Sequence, residues 1–228
     1  MSETPQTSET YDAMYREGGY EGVFALPTKH SHYYPLQKAM LRIVKRSGTH
    51  RLLEVGCGAG AFAELVLETG TIVYSGFDFS SVAVENAAKR TGRPDLFKVG
   101  DATRPESYDS DYDCIACAEV LEHVEADLEI VRLWKSGTFC VCSVPNFDSR
   151  YHVRHFRAAD EVRARYGDLI EIEGIRKIKK YVLPDISWSN RLKHMIWHRW
   201  KPKRLWRYLG LGRFDDVGGW FLFHGRRR

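Results

Sequence analysis

From residue 36 to residue 144 the apolar positions switch repeatedly between two rhythms. Leu36, Met40, Ile43 and Val44 stand at i, i+4, i+7 and i+8, which predicts a helix over 35–45. Lys45, Arg46 and Gly48 supply a basic last turn and a residue suited to end it. Short apolar runs follow at 51–55, 71–77, 96–99, 112–118 and 138–144, and each reads as a buried strand. Helical spacing between them predicts helices over 60–69, 80–91 and 120–133. Strands alternating with helices imply right-handed βαβ units, so the expected class is α/β with a doubly wound, mostly parallel sheet. Residues 219–224 form one further strongly apolar strand. Residues 11–35, rich in Tyr, Gly and His, show no clean period.

The 228 residues are most simply one domain with additions. No apolar stretch approaches the roughly 20 residues needed to span a bilayer. The polar first ten residues read as a frayed leader, not a secretory signal. Four of the five cysteines lie in apolar strand-like runs, as expected of buried thiols in a reducing, cytoplasmic setting. Cys114 and Cys117 have zinc-like spacing, but there is no second pair, and a strand would send them to opposite faces. The net charge of +4 conceals an asymmetry: fifteen basic residues face three acidic ones from Arg176 onward, leaving about −8 on residues 1–175.

Residues 52–60, Leu-Leu-Glu-Val-Gly-Cys-Gly-Ala-Gly, run from a strand into a turn stripped of side chains at Gly56, Gly58 and Gly60. Such a turn lets the backbone approach a ligand closely. Asp78 closes the next strand, where a carboxylate is placed to accept hydrogen bonds from a ribose diol. The Gly-x-Gly-x-Gly spacing after Glu54 resembles motif I of the class I S-adenosylmethionine-dependent methyltransferases. Gly100-Asp101-Ala102 resembles that family's adenine-binding turn, and Ala116 to Val124 resembles its fourth strand and sequel. The resemblance implies a Rossmann-like seven-stranded sheet with helices on both faces, 219–224 being the antiparallel closing strand. It implies a cap or lid over 1–47, with Tyr20 and Tyr33 as pocket candidates, and a methyltransferase domain over 48–228. It also implies S-adenosylmethionine as cofactor, with Glu54, Gly56, Cys57, Gly58 and Gly60 at the methionine part. Asp78 and Phe79 would then lie by the ribose, and Asp101 and Ala102 by the adenine, with Glu119 in the same pocket.

Glu119-Val-Leu-Glu122-His123 begins where the fourth strand ends. On a helix these positions share a face, which would bring two carboxylates and an imidazole to the cleft mouth. The stretch resembles an element of the ubiquinone-biosynthesis O-methyltransferases and of the small-RNA 3′-terminal 2′-O-methyltransferases. In both groups it binds a metal, so the resemblance makes Glu119, Glu122 and His123 ligands of a divalent cation such as magnesium. His152 and His155 compete for a fourth place. His123 also suits a general base, since a hydroxyl is a poor nucleophile until its proton is removed. The competing reading makes Glu122 a local cap and His123 a pocket wall.

Residues 158–212 lie outside the motifs. Trp188, Trp197, Trp200 and Trp206 are interleaved there with lysines and arginines, and the spacing predicts a helix broken by Pro202, then a short one over 203–209. The segment reads first as a cover over a substrate pocket, its aromatics packed inward and its cations solvated; a separate reading sets those cations against the phosphate of an anionic small molecule or of nucleic acid. An interfacial membrane helix is a second reading. Nucleic acid is disfavoured, because no RNA-module motif is present. The expected activity is methyl transfer to a small-molecule hydroxyl. A 3′-terminal RNA 2′-O-methyltransferase and a non-catalytic scaffold are the alternatives, and oligomeric state is not legible.

Overall fold

The computed structural model describes residues 7–18, 24–149, 151–180, 192, 196 and 213–228. Its centre is a seven-stranded sheet in the order β3-β2-β1-β4-β5-β7-β6. The strands are β1 (Arg51–Val55), β2 (Val73–Asp78), β3 (Phe97–Val99), β4 (Cys114–Ala118), β5 (Phe139–Pro145), β6 (Ile170–Lys179) and β7 (Gly219–Arg227). Strands β1 to β5 pair in parallel, and β7 inserts antiparallel between β5 and β6. This is the expected architecture, with the closing strand where the apolar run 219–224 placed it.

Two cores flank the sheet. On one face lie α2 (Tyr34–Arg46), α3 (Ala61–Leu67) and α4 (Ser81–Thr91), whose Leu36, Met40, Phe62, Val66 and Ala87 pack with Leu52 and Tyr74. On the other lie α5 (Asp127–Leu133) and α6 (Ala159–Tyr166), whose Ile130, Val131, Val162 and Tyr166 pack with Leu53, Val55 and Ile115. Strand alternation divides the cysteines as expected: Cys114 belongs to the first core and Cys117 to the second. A short α1 (Ser8–Arg16) and a last turn, α7 (Phe214–Val217), complete the described helices.

Three local expectations change. The helix over 120–133 begins only at Asp127. Before it, Glu119 adopts φ 57° and Leu121–His123 form a 3-10 turn. Within 158–212, read as a cover, Ala159–Tyr166 form α6 and Ile170–Lys179 form edge strand β6 of the sheet. In β6 only Ile170 is fully buried, so the strand lacks the continuous apolar run that marks the inner strands. The cap segment contains α1, which was hidden because none of its residues is fully buried. Tyr20 and the Trp-rich segment 186–212, apart from Leu192 and Ile196, lie outside the described residues.

Candidate active site

The motifs gather at the carboxyl ends of β1, β2 and β4, around a cavity of about 340 Å³. At the tip of β1 the Gly56 and Cys57 N–H groups donate to the Phe77 carbonyl of β2 at 2.9 Å. Gly58 has φ +50°, and a Cβ there would come within 2.9 Å of the Tyr15 hydroxyl. Gly60 has φ +76° and packs against the α4 backbone, where a Cβ would meet Ala87 Cα at 2.8 Å. Gly58 therefore shapes the cavity wall, whereas Gly60 faces away and lets α3 and α4 pack.

Asp78 ties the turn together. Its Oδ2 accepts the Gly58 N–H at 2.9 Å and its Oδ1 accepts the Ser80 N–H at 3.0 Å. Burial holds its carboxyl up at about 6. Each oxygen keeps a second lone pair, as a diol acceptor requires. Glu54, also on the wall, accepts from the Tyr74 hydroxyl at 2.5 Å and is pushed by burial to about 8. Phe79, Asp101 and Ala102 line the cavity further along. Tyr108 and Ser107 hydroxyls bind the Ala102 and Asp101 carbonyls at 2.8 and 2.7 Å and fix that turn.

Helix α1 lies over this cleft. Tyr11 meets the Phe79 ring edge-on at 4.9 Å, and Tyr15 packs on Phe24 at 4.8 Å. Asp12 accepts from the Ser80 hydroxyl at 2.5 Å, so the lid is pinned to the start of α4. Arg90 of α4 holds the next segment to the glycine turn, donating to the carbonyls of Phe24 (2.7 Å) and Leu26 (3.2 Å) in the one and of Ala59 (2.8 Å) in the other.

At the other end of the cavity stand Glu119, His123, Phe147, Tyr151, His152 and Lys180. Both Glu119 oxygens are engaged: Oε1 accepts from Ser143 Oγ at 3.1 Å and Oε2 from Trp220 Nε1 at 2.6 Å. Glu122 is completely buried, and neither of its oxygens has a hydrogen-bond partner among the described residues. Burial raises both carboxyls, and the neighbouring Glu119 charge raises Glu122 further. His123 Nδ1 lies 2.8 Å from the Tyr151 carbonyl and His152 Nδ1 lies 3.1 Å from that of Phe147. Both rings must donate through Nδ1, which leaves each Nε2 as a lone-pair donor. Burial lowers His123 to about 4 and lowers His152 as well, so both are neutral near pH 7. Ligand atoms of Glu122, His123 and His152 all lie within 4.8 Å of one another.

Residues 28–199 match the family described as "Methyltransferase domain". The chain belongs to that family. This methyltransferase is 28% identical over 201 residues to a ubiquinone biosynthesis O-methyltransferase of Photorhabdus laumondii, across 81% of this chain and 80% of that protein. In structure it is similar to the N-methyltransferase NodS of Bradyrhizobium japonicum with S-adenosyl-L-homocysteine, at a TM-score of 0.63 and 19% identity over 96% and 98% of the two chains. It is also similar to the cyclase SpnF, at a TM-score of 0.60 and 18% identity over 100% and 99%. Both likenesses concern the fold alone. The methyltransferase is S-adenosylmethionine-dependent.

Of the residues singled out in sequence, Glu54, Gly56, Cys57, Gly58, Asp78, Phe79, Asp101, Ala102, Glu119 and Tyr33 all line the cavity of the methyltransferase. The shared helical face predicted for Glu119, Glu122 and His123 does not form, because the left-handed Glu119 and the 3-10 turn replace that helix. The structure groups Glu122 and His123 with His152, while Glu119, held by Ser143 and Trp220, stays beside Glu122 but outside that group. His155 Nδ1 lies 4.0 Å from Asp148, away from that group. Sequence reasoning missed Tyr15, Arg90, Phe147 and Lys180. Each arrives from outside the motifs, and the only signal was the aromatic density of 11–35.

Proposed function

We propose that the methyltransferase moves the methyl group of S-adenosylmethionine to a hydroxyl of a small, anionic acceptor, and that Glu122, His123 and His152 hold a divalent cation beside that hydroxyl. The observation that carries this reading is Glu122: a fully buried carboxyl that no described donor satisfies, beside two imidazoles whose Nδ1 atoms already face backbone carbonyls, with His123 Nε2 3.7 Å from its Oε1. A buried polar group without a partner is costly unless a ligand satisfies it. Imidazoles that donate through Nδ1 to backbone carbonyls have the tautomer and orientation of metal ligands. Two imidazoles and one carboxylate suit manganese or zinc better than magnesium, which prefers oxygen.

When bound, such a cation lowers the pKa of an oxygen it touches. The chain's own residues do the rest. The turn at Gly56–Gly58 and Asp78 orients the cofactor, α1 with Tyr11 and Tyr15 limits the entry of water, and the aromatic wall of Phe147 and Tyr151 faces the acceptor. Transfer is then a matter of holding oxygen, methyl and sulfur in line. Lys180, beside Phe147 with Nζ 4.7 Å from its ring centre, supplies a positive charge for an anionic acceptor. The relative named for O-methylation supports the hydroxyl. No described helix is long and apolar enough to cross a membrane. Five unpaired buried thiols support a cytoplasmic setting.

The test is labelled-methyl transfer to a panel of hydroxylated aromatic acids, with and without EDTA and manganese. Transfer that EDTA abolishes, that manganese restores and that Glu122→Gln lacks supports the reading. Transfer indifferent to EDTA and to Glu122→Gln would overturn the cation, and methylation of RNA 3′ ends in preference to the acids would overturn the acceptor.

A further inference from the structure

Glu122 and His123 sit on the turn after β4, whereas His152 sits on the loop after β5. These segments can offer one ligand set only if something holds them in register. Arg154 is built for that task. Its Nη1 donates to the carbonyls of Leu121 (2.6 Å) and Val124 (2.5 Å), and its Nη2 to that of Glu125 (3.0 Å). Those carbonyls bracket Glu122 and His123. The backbone adds a parallel link: the Val153 N–H donates to the Glu122 carbonyl at 2.8 Å.

Arg154 is in turn anchored. Its Nη1 lies 3.3 Å from Oδ2 of Asp127, which is completely buried at the start of α5. Asp127 also accepts from Arg165 Nη2 at 2.6 Å and from the Tyr166 hydroxyl at 2.8 Å, both on α6. The guanidinium therefore spans from the α5–α6 core to a turn whose short 3-10 geometry offers little rigidity of its own. A planar fork can satisfy several carbonyls at once, which a lysine ammonium cannot do in the same geometry.

We propose that Arg154, fixed by Asp127, is a positioning residue that clamps the Glu122–His123 turn to the His152 loop. It touches neither cofactor nor acceptor, and its effect is exerted through the three candidate ligands. The inference rests on the cation reading above, and the experiment separates the two. Full-length protein is titrated with Mn2+, followed by the loss of the free-ion electron paramagnetic resonance signal, for wild type, Arg154→Gln, Arg154→Lys and Arg165→Gln, with thermal unfolding run alongside. The expected result is one site in wild type, weakened at least tenfold in Arg154→Lys and Arg154→Gln. Arg165→Gln, which removes a different Asp127 partner, should stay within about threefold. Arg154→Lys keeps the charge beside Asp127, so it serves as the folded variant should Arg154→Gln fail to fold. A folded Arg154→Lys that binds Mn2+ as tightly as wild type overturns the clamp and leaves the cation reading intact. A wild type that binds no Mn2+ overturns the cation reading itself.

Discussion

The indole N–H of Trp220 donates to Oε2 of Glu119 at 2.6 Å, joining residues 101 positions apart. Trp220 is wholly buried in β7, and Glu119 is the one described non-glycine residue with positive φ. With Ser143 on the other oxygen at 3.1 Å, the bond fixes the Glu119 carboxyl at the cavity wall. A backbone held in the left-handed region costs of order 1–3 kcal/mol and persists only where surrounding contacts over-determine it.

Trp220→Phe is therefore expected to destabilise the fold by about 1–3 kcal/mol, the loss of a hydrogen bond to a buried carboxyl. Glu119→Gln, which can still accept from the indole, should cost less. Urea unfolding of the two variants checks the order. Equal midpoints for Trp220→Phe and wild type would remove the bond from any account of stability.

Gly58→Ala and Gly60→Ala should fail in different ways. An alanine at 58 meets the Tyr15 hydroxyl at the cavity wall, so cofactor binding should weaken about tenfold or more while the fold survives. An alanine at 60 meets the α4 backbone at a left-handed position, so stability itself should fall by about 1–2 kcal/mol or more. Calorimetry with S-adenosyl-L-homocysteine and thermal unfolding separate the two outcomes.

Burial raises Asp78 to about 6 and Glu54 to about 8, so the folded, cofactor-free protein holds their protons more tightly than the unfolded chain does. The stability they contribute is full below about pH 4 and is lost as pH rises toward 6 for Asp78 and toward 8 for Glu54. The Tm of cofactor-free protein should thus fall from pH 5 to pH 8, and Asp78→Asn should flatten the lower part of that fall. S-adenosylmethionine carries a sulfonium charge that compensates the ionised carboxylates, so its stabilising shift should grow with pH, and more than that of S-adenosyl-L-homocysteine. A Tm gain from the sulfonium that is independent of pH would count against this coupling.

Arg90 holds the lid segment through the Phe24 and Leu26 carbonyls and the Thr28 hydroxyl, and ties it to the glycine turn through the Ala59 carbonyl. Arg90→Met keeps the aliphatic stem and removes those donors. Cofactor affinity should drop severalfold to tenfold, and limited proteolysis should cut within 24–30 faster than in wild type. Unchanged cleavage and affinity would show that α1 and Asp12 hold the lid alone.

The inner sheet and the glycine turn that lines the cavity were legible in the sequence because each is a local pattern. A buried strand is a run of apolar residues, a ligand-approaching turn is a run of glycines, and the acid that serves it ends the next strand. Strand β6 escaped because it is half-exposed and lacks a continuous apolar run, and helix α1 because its stripe of Tyr11, Met14 and Tyr15 spans barely one turn within an aromatic-rich stretch. The metal-like group was legible only in part. Glu122 and His123 were found as neighbours in sequence, but the choice of His152 over His155, and the release of Glu119 to Trp220 and Ser143, depended on distances across loops. Local sequence determined the inner strands and most of the residues that line the cavity. Only the tertiary structure decided which of them meet, because the contacts that sort them, from Trp220 and Arg154 above all, form between segments that are brought together when the sheet closes.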